Sequence, residues 1–399
     1  MQLDLPGGPH LTYCTNIHAG ERWEEISDAL QSHVLAVKRH VSPAEPMGVG
    51  LRLSGLASER LAEPERLAEL KAFLAETGLY VFTINAFPYG PFHGTRVKEE
   101  VYEPDWRTRE RLSFTNRVAD ILAELLPDGV VGSISTVPGG YKARIKTDAD
   151  VARMAEAMIE HAAHLYEIER ATGKEIVLAF EPEPCCFLET TDEAVAFFRE
   201  HLFAADAVDR FSAQTGTSRA AAAAALRRHL GLCFDVCHAA VVYEDVSASL
   251  DAIATADIRI PKIQLSSALR LPEVTEAAEE LLTRFDDGVY LHQTYEVREG
   301  RLTRYADLPD AFAALRRGES GGEWRVHCHV PVFEPSYGAL QSTRDVLSEV
   351  LGLCRTQAIA PHLEVETYTW GVLPEDLRTD DIDGDIAREL TWVRTQLGA

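Results

Sequence analysis

The chain is short of positive charge. Its 39 Lys and Arg stand against 63 Asp and Glu, a formal net charge of −24, so its field repels a phosphate backbone and an anionic bilayer alike. No nucleic-acid partner is expected. Long apolar runs are missing too: nowhere do about eighteen apolar residues follow one another, the length a spanning helix needs. The opening MQLDLPGGPHLTY also has no basic stretch leading into an apolar core. The expectation is no membrane insertion and a cytoplasmic location. Paired cysteines are lacking as a pattern. The seven, an odd number, lie at Cys14, Cys185, Cys186, Cys233, Cys237, Cys328 and Cys354, mostly inside apolar runs rather than at metal-type spacings. They read as reduced core residues. No Pro, Gly or Ser-rich linker divides the sequence, so residues 1–399 are expected to form one elaborated domain.

What is present is a regular alternation of β-rich runs and helical stretches, the signature of βα units and a parallel sheet. Nine runs qualify: LTYCTN, GVGLRLS, YVFTINAF, VGSISTVP, IVLAFEPE, GLCFDVCH, IPKIQLSS, RVHCHVPV and HLEVETYTW. The intervals carry apolar residues at three-to-four spacing, with helix stops at Gly78 and Gly173 and a strong helix former in the six alanines from Ala220. An eight-stranded (β/α)8 TIM barrel has one place too few for nine strands, so one run belongs to an insertion. The insertion is expected at about 270–325, where LHQTYEVREGRLTRYADL reads as a hairpin turned at Glu299-Gly300; RVHCHVPV either continues it or is a barrel strand. Loop excursions at 88–109 and 202–229 are candidates to cover one barrel end.

Side-chain parity locates the chemistry. In the fifth run Ile176, Leu178 and Phe180 share one face and Val177, Ala179, Glu181 and Glu183 the other. Helices cover the bulky face, so the glutamates point into the barrel. The same parity turns inward Cys233 and Asp235, then Lys262, Gln264 and Ser266, then Glu364, Glu366 and Tyr368, as well as Arg52; Asn16 and Asn85 close the first and third runs. Several carboxylates buried at neighbouring strand ends must share protons, basic groups or a metal. Oxygen-rich ligation with one imidazole suits manganese, magnesium or zinc and leaves the choice open. Such an ion polarises the hydroxyl and carbonyl oxygens of a polyol, and a neighbouring carboxylate then moves the proton.

Glu181 in LAFEPEP, Asp235 and His238 in CFDVCHA, and Glu366 in EVETYTW together resemble the ligand series of xylose isomerase-like sugar isomerases and epimerases. The resemblance implies Glu181, Asp235 and Glu366 as metal ligands, with catalytic work falling to Glu181, Glu366 and His238, the last set against substrate. It departs on the seventh run. KIQLSSAL has Gln264 where that series has histidine, so either Gln264 or His329 in RVHCHVPV completes the shell. Four phrases, LTYCTNIHAGERW, TVPGGYK, VHCHVPVF and LEVETYTW, resemble the EboE metabolite traffic family over the whole chain. That implies handling of a small metabolite precursor, while the site implies isomerase or epimerase chemistry on a sugar or cyclitol.

Further candidates for substrate contact are Asn16, Arg52, Asn85, Lys142 and Glu183, with His18, Glu21 and His327 weighed beside them as structural groups. A buried Arg52 needs a carboxylate or a ligand. Lys142 is either a ligand contact or a solvated loop lysine. A binding protein that retains the pocket without turnover is the alternative to an enzyme. Partner calls are a small sugar or cyclitol, with homo-oligomer formation left open. A nuclease is set aside by the acidity and by the lack of a cluster of strand-end histidines.

Overall fold

The computed structural model describes residues 1–94, 96–286, 288–370, 373–375 and 379–399. Alternation decides which side of each strand meets the helices. Ile176, Leu178 and Phe180 join the large apolar core, whereas Val177 and Ala179 on the other parity do not. Phe180 packs edge-on against Trp106 and Phe198. Repeated around the sheet, this pattern gives a nearly closed barrel of parallel strands with helices outside it.

The barrel strands are β1 (His10–Tyr13), β2 (Met47–Arg52), β3 (Leu79–Asn85), β4 (Gly132–Thr136), β5 (Ile176–Phe180), β6 (Leu230–Asp235) and β7 (Arg259–Leu265). Between β7 and the last barrel strand lie six short ones: β8 (Leu269–Leu271), β9 (Thr294–Arg298), β10 (Arg301–Tyr305), β11 (Glu323–Val326), β12 (Ser336–Tyr337) and β13 (Leu340–Ser342). The barrel ends with β14 (His362–Val365). Its strand order is β1-β14-β7-β6-β5-β4-β3-β2, every pairing parallel. The seam between β1 and β2 is bridged by side chains. Thr12 Oγ1 donates to Gly48 O at 2.8 Å and accepts from Gly50 N at 3.1 Å, and Thr15 Oγ1 accepts from Arg52 N at 2.9 Å. These hydroxyls satisfy strand-edge groups that would otherwise be buried unpaired. Gly50 has a steric reason as well: a Cβ there would stand 2.0 Å from Glu364 Oε2.

The six inserted strands form an antiparallel sheet in the order β10-β9-β11-β8-β13-β12. It has its own apolar core around Leu269, Leu282, Phe285, Phe312, Trp324 and Leu340. Glu299 and Gly300 both take positive φ, 52° and 77°, turning β9 into β10 by the two-residue hairpin that the right-handed strand twist favours. Of RVHCHVPV, only Arg325 and Val326 are strand, in β11, so this run is the one that belongs to the inserted sheet. The helices follow their signals. Gly78 and Gly173 end theirs in the left-handed conformation, and the alanine run lies in the helix Arg219–His229, capped by Ser218 Oγ.

The barrel interior is polar in layers. His362 Nδ1 meets Ser133 Oγ, which meets Thr83 Oγ1, each at 2.8 Å. One layer up, Lys262 Nζ lies 2.5 Å from Glu364 Oε1 and donates to Ser135 Oγ, both charged side chains fully buried. Burial alone would lower the Lys262 pKa, but the Glu364 carboxylate outweighs it and holds the ammonium charged. Removing one partner strands the other charge. Lys262→Met is expected to cost about 3–5 kcal/mol in denaturant unfolding, and Lys262→Met with Glu364→Leu much less than the sum of the single changes. Additive costs would show that the two charges do not act as a pair.

Candidate metal centre

The strand ends place carboxylates at one mouth of the barrel. Glu181 directly follows β5, Asp235 ends β6, and Glu366 directly follows β14. All three are buried, and one oxygen from each lies within 4.8 Å of the others. Asp235 caps the next helix: its Oδ1 accepts from His238 N at 2.9 Å and Ser266 Oγ at 2.8 Å, which leaves Oδ2 without a partner. Glu366 Oε1 accepts from Asn16 Nδ2 at 2.8 Å and Asn85 Nδ2 at 3.1 Å. Glu181 Oε2 is buried and unpaired. Burial, and then the charges of the neighbouring carboxylates, push Glu181 and Glu366 well above the usual carboxylate range. A divalent cation would reverse that penalty, and the oxygen donors with orphaned lone pairs fit one.

Beside the carboxylates stand three buried imidazoles. His238 donates from Nδ1 to Pro182 O at 2.9 Å, and His329 from Nδ1 to Glu366 O at 2.8 Å. His327 Nδ1 lies 2.7 Å from Gln293 Oε1, while Gln293 Nε2 donates to Tyr102 Oη, Glu183 Oε1 and Pro184 O. That network fixes the Gln293 amide, so His327 Nδ1 is the donor. Burial drives all three imidazoles below their usual pKa, toward the neutral form. His329 Nε2 lies 4.0 Å from Asp235 Oδ2.

Glu181, Glu366 and the three imidazoles face a cavity whose empty space, open solvent included, is about 520 Å³. Phe87, Phe92, Tyr102, Tyr290 and Tyr368 supply aromatic walls. Glu183 also lines it, its Oε1 accepting from Tyr102 Oη at 2.6 Å. Burial, opposed in part by that hydrogen bond, pushes its carboxyl up to about 8.

Not every expected residue reaches the cavity. Asn16, Asn85, Glu183 and His238 line it. Arg52 does not: it pairs with Glu21 at 2.9 Å and donates to Gly20 O and Gly90 O, clamping the loops after β1 and β3. Its buried guanidinium found a protein carboxylate rather than a ligand. Lys142 is likewise held outside by Glu189 and Glu193, at 2.8 and 2.6 Å. Gln264, in register with both Asp235 and Glu364, does not line the cavity, and its Oε1 accepts from Cys233 Sγ. Ser266 takes the place at the end of β7 beside Asp235. His329, from the inserted region, brings its imidazole beside Asp235, with Nε2 4.0 Å from Oδ2. Gln293, Tyr102, Phe92 and Tyr290 gave no sequence signal of their own, whereas the shared parity of His327 and His329 was one.

No protein-family model matches the chain, and no curated protein matches it. Among solved structures it is similar to a xylose isomerase-like TIM barrel protein from Mycobacterium smegmatis in complex with magnesium (12% identity, 99% of this chain and 97% of that one, TM-score 0.49). It is also similar to an IolI protein with a zinc atom (14% identity, 97% of each chain, TM-score 0.46). A D-tagatose 3-epimerase-like protein matches at 9% identity over 98% of this chain and 97% of that one, with a TM-score of 0.48. At such similarity the fold rests on the strand order itself. No helix among the described residues is long and apolar enough to cross a membrane.

One more buried acid ties the two halves of the site together. Glu389 accepts from Thr367 Oγ1, beside Glu366, from Val332 N, three residues after His329, and from Trp370 Nε1. Burial, opposed by these bonds, raises its pKa from 4.5 to about 7. The folded chain thus holds a proton that the unfolded chain releases, so this group's stabilisation is full below about pH 4.5 and lost as pH rises through 7. Glu389→Gln should gain up to about 3 kcal/mol on wild type between pH 5 and pH 8, read by urea unfolding. An unchanged difference across that range would refute a protonated Glu389.

Proposed function

We propose that this protein is a divalent-metal-dependent isomerase or epimerase acting on a small sugar or cyclitol. The observation that carries the reading is the buried trio Glu181, Asp235 and Glu366, with unpaired Glu181 Oε2 and Asp235 Oδ2, at the end of a parallel barrel where catalytic sites form. A bound magnesium, manganese or zinc would polarise adjacent hydroxyl or carbonyl oxygens of the substrate. The chain's own residues do the rest. Asn16 and Asn85 hold Glu366 by Oε1, fixing its orientation. The aromatic walls exclude water and pack on the C–H faces of a ring. His238, locked by Pro182 O, orients the substrate from the imidazole side. Glu183 stands outside the trio, and with a pKa near 8 it suits the giving and taking of a proton near neutrality.

Four sequence phrases support a finer reading, that the metabolite is a precursor of the kind the EboE family handles. The spacing of the seven cysteines, six of them buried in apolar surroundings, supports action in the reducing cytoplasm. A second reading, a carrier without turnover, is favoured by Gln264 standing on β7 where the resembled ligand series has histidine.

The test combines metal and exchange. Wild type should bind Mn²⁺ in an EPR titration, with Glu181→Gln and Glu366→Gln at least about 10-fold weaker. The loaded enzyme should transfer deuterium from D2O to a carbon of a sugar or cyclitol in a substrate screen. Mn²⁺ binding indifferent to both variants would refute the site, and tight ligand capture without exchange would establish the carrier.

A further inference from the structure

The cavity as it stands is too small for a sugar ring. Of the space that Glu181 and Glu366 face, only about 60 Å³ is open to the centres of water molecules, well under the roughly 150 Å³ in which a benzene ring lodges. A substrate enters only when part of the wall moves. Three rings from three separate segments close that wall: Phe92 after β3, Tyr290 before β9 and Tyr368 after β14. Their centroids are 5.1, 5.3 and 5.2 Å apart, each ring tilted against the other two, and Phe92 and Tyr290 are buried. The segment carrying Phe92 is held on two sides. Toward the barrel, Glu21 Oε1 accepts from Phe92 N at 2.8 Å, and the buried Arg52 donates to Gly90 O at 2.9 Å. Toward the inserted sheet, Tyr290 Oη donates to Phe92 O at 2.9 Å, and Val97 N and Lys98 N both donate to Val289 O at 2.9 Å. Lys98 Nζ then meets Asp307 Oδ2 at 2.7 Å, the two side chains 9% and 17% exposed. The two sides differ in what release costs. Letting go of the barrel takes away bonds that the buried Arg52–Glu21 pair makes to this segment. Letting go of the inserted sheet frees Lys98 from φ 41°, a left-handed conformation that a non-glycine residue keeps only while its surroundings impose it.

We propose that Phe92 is a gate over the cavity, hinged on the barrel at Gly90 through Arg52 and Glu21 and latched to the inserted sheet by the Lys98–Asp307 ion pair. Opening breaks the latch, lets Lys98 leave its strained φ and draws Phe92 away from Tyr290 and Tyr368. Closing over a substrate restores the ring contacts and shuts water out of the site. Arg52, which touches no substrate, is then a positioning residue that acts through Phe92, and the inserted sheet carries the latch as well as cavity-lining side chains. The inference rests on this cavity being the substrate site of the reaction proposed above; it does not depend on which metal or proton transfer follows.

Amide exchange and thiol labelling read the gate without metal. Asp307→Asn keeps an Oδ1 acceptor for His292 N and Leu308 N and removes the charge that Lys98 meets. In this variant the Val97 and Lys98 amides should exchange about 5-fold faster or more than in wild type, with the amides of β3 and β5 unchanged. Labelling uses Gln293→Cys, a cavity position with no native cysteine between Cys237 and Cys328. There a methanethiosulfonate carrying a glucose group should react faster by a similar factor once Asp307→Asn is added, as peptide mass spectrometry reads. Exchange and labelling both unmoved would overturn the gate, and so would faster exchange with labelling unmoved. If Asp307→Asn also speeds exchange in the barrel strands, Lys98→Met decides by the same two readings. A wild type that binds no Mn²⁺ would sink the carboxylate reading and leave the gate result intact, whereas an unmoved gate beside normal Mn²⁺ binding would sink the gate alone.

Discussion

Glu181, Asp235 and Glu366 hold three carboxylates within 4.8 Å of one another where solvent does not reach. Like charges in that position repel strongly and lack the hydration that would compensate them. Much of the surrounding structure answers this constraint. Lys262, one layer below and already paired with Glu364, supplies positive potential to the trio from inside the barrel. Asn16, Asn85, Ser266 and the His238 amide each donate to a carboxylate oxygen. They leave Glu181 Oε2 and Asp235 Oδ2 free, a balance that a cation would complete.

The polar interior follows from the same need. Barrels of this architecture are commonly filled with branched apolar side chains, whereas here polar layers lie beneath the charge cluster. Here the layers run from His362, Ser133 and Thr83 through Lys262, Glu364 and Ser135 to the carboxylates. Glycine at 50 makes room for Glu364, and the hydroxyl of Thr12 takes over strand pairing at that point of the seam. The closure of the barrel and the placement of the charge are thus one arrangement.

The inserted sheet changes what a barrel of this kind can do. It has its own apolar core, so it positions residues rigidly. Just before β9 it delivers Gln293, and just after β11 it delivers His327 and His329, to a cavity whose other wall belongs to the barrel. Glu389 links the polypeptide after His329 to that after Glu366, so the two walls are fixed to a common anchor.

The sequence by itself determined the barrel strands, the inward parity of Glu181, Asp235 and Glu366, and the hairpin at Glu299-Gly300. These depend on periods of two and on local backbone preferences, which neighbouring residues express without help. It also showed that His327 and His329 share a parity. Only the tertiary structure decided the partners. Arg52 and Lys142 looked like ligand contacts until Glu21, Glu189 and Glu193, up to 51 residues away, were seen to hold them. Gln264 looked like a replacement ligand, but the fold leaves it out of the cavity lining with its Oε1 on Cys233 Sγ. The imidazole cluster joins residues 238, 327 and 329 across 91 positions. Convergence over such separations is set by how the inserted sheet packs against the barrel, and no short-range pattern in a chain encodes that packing.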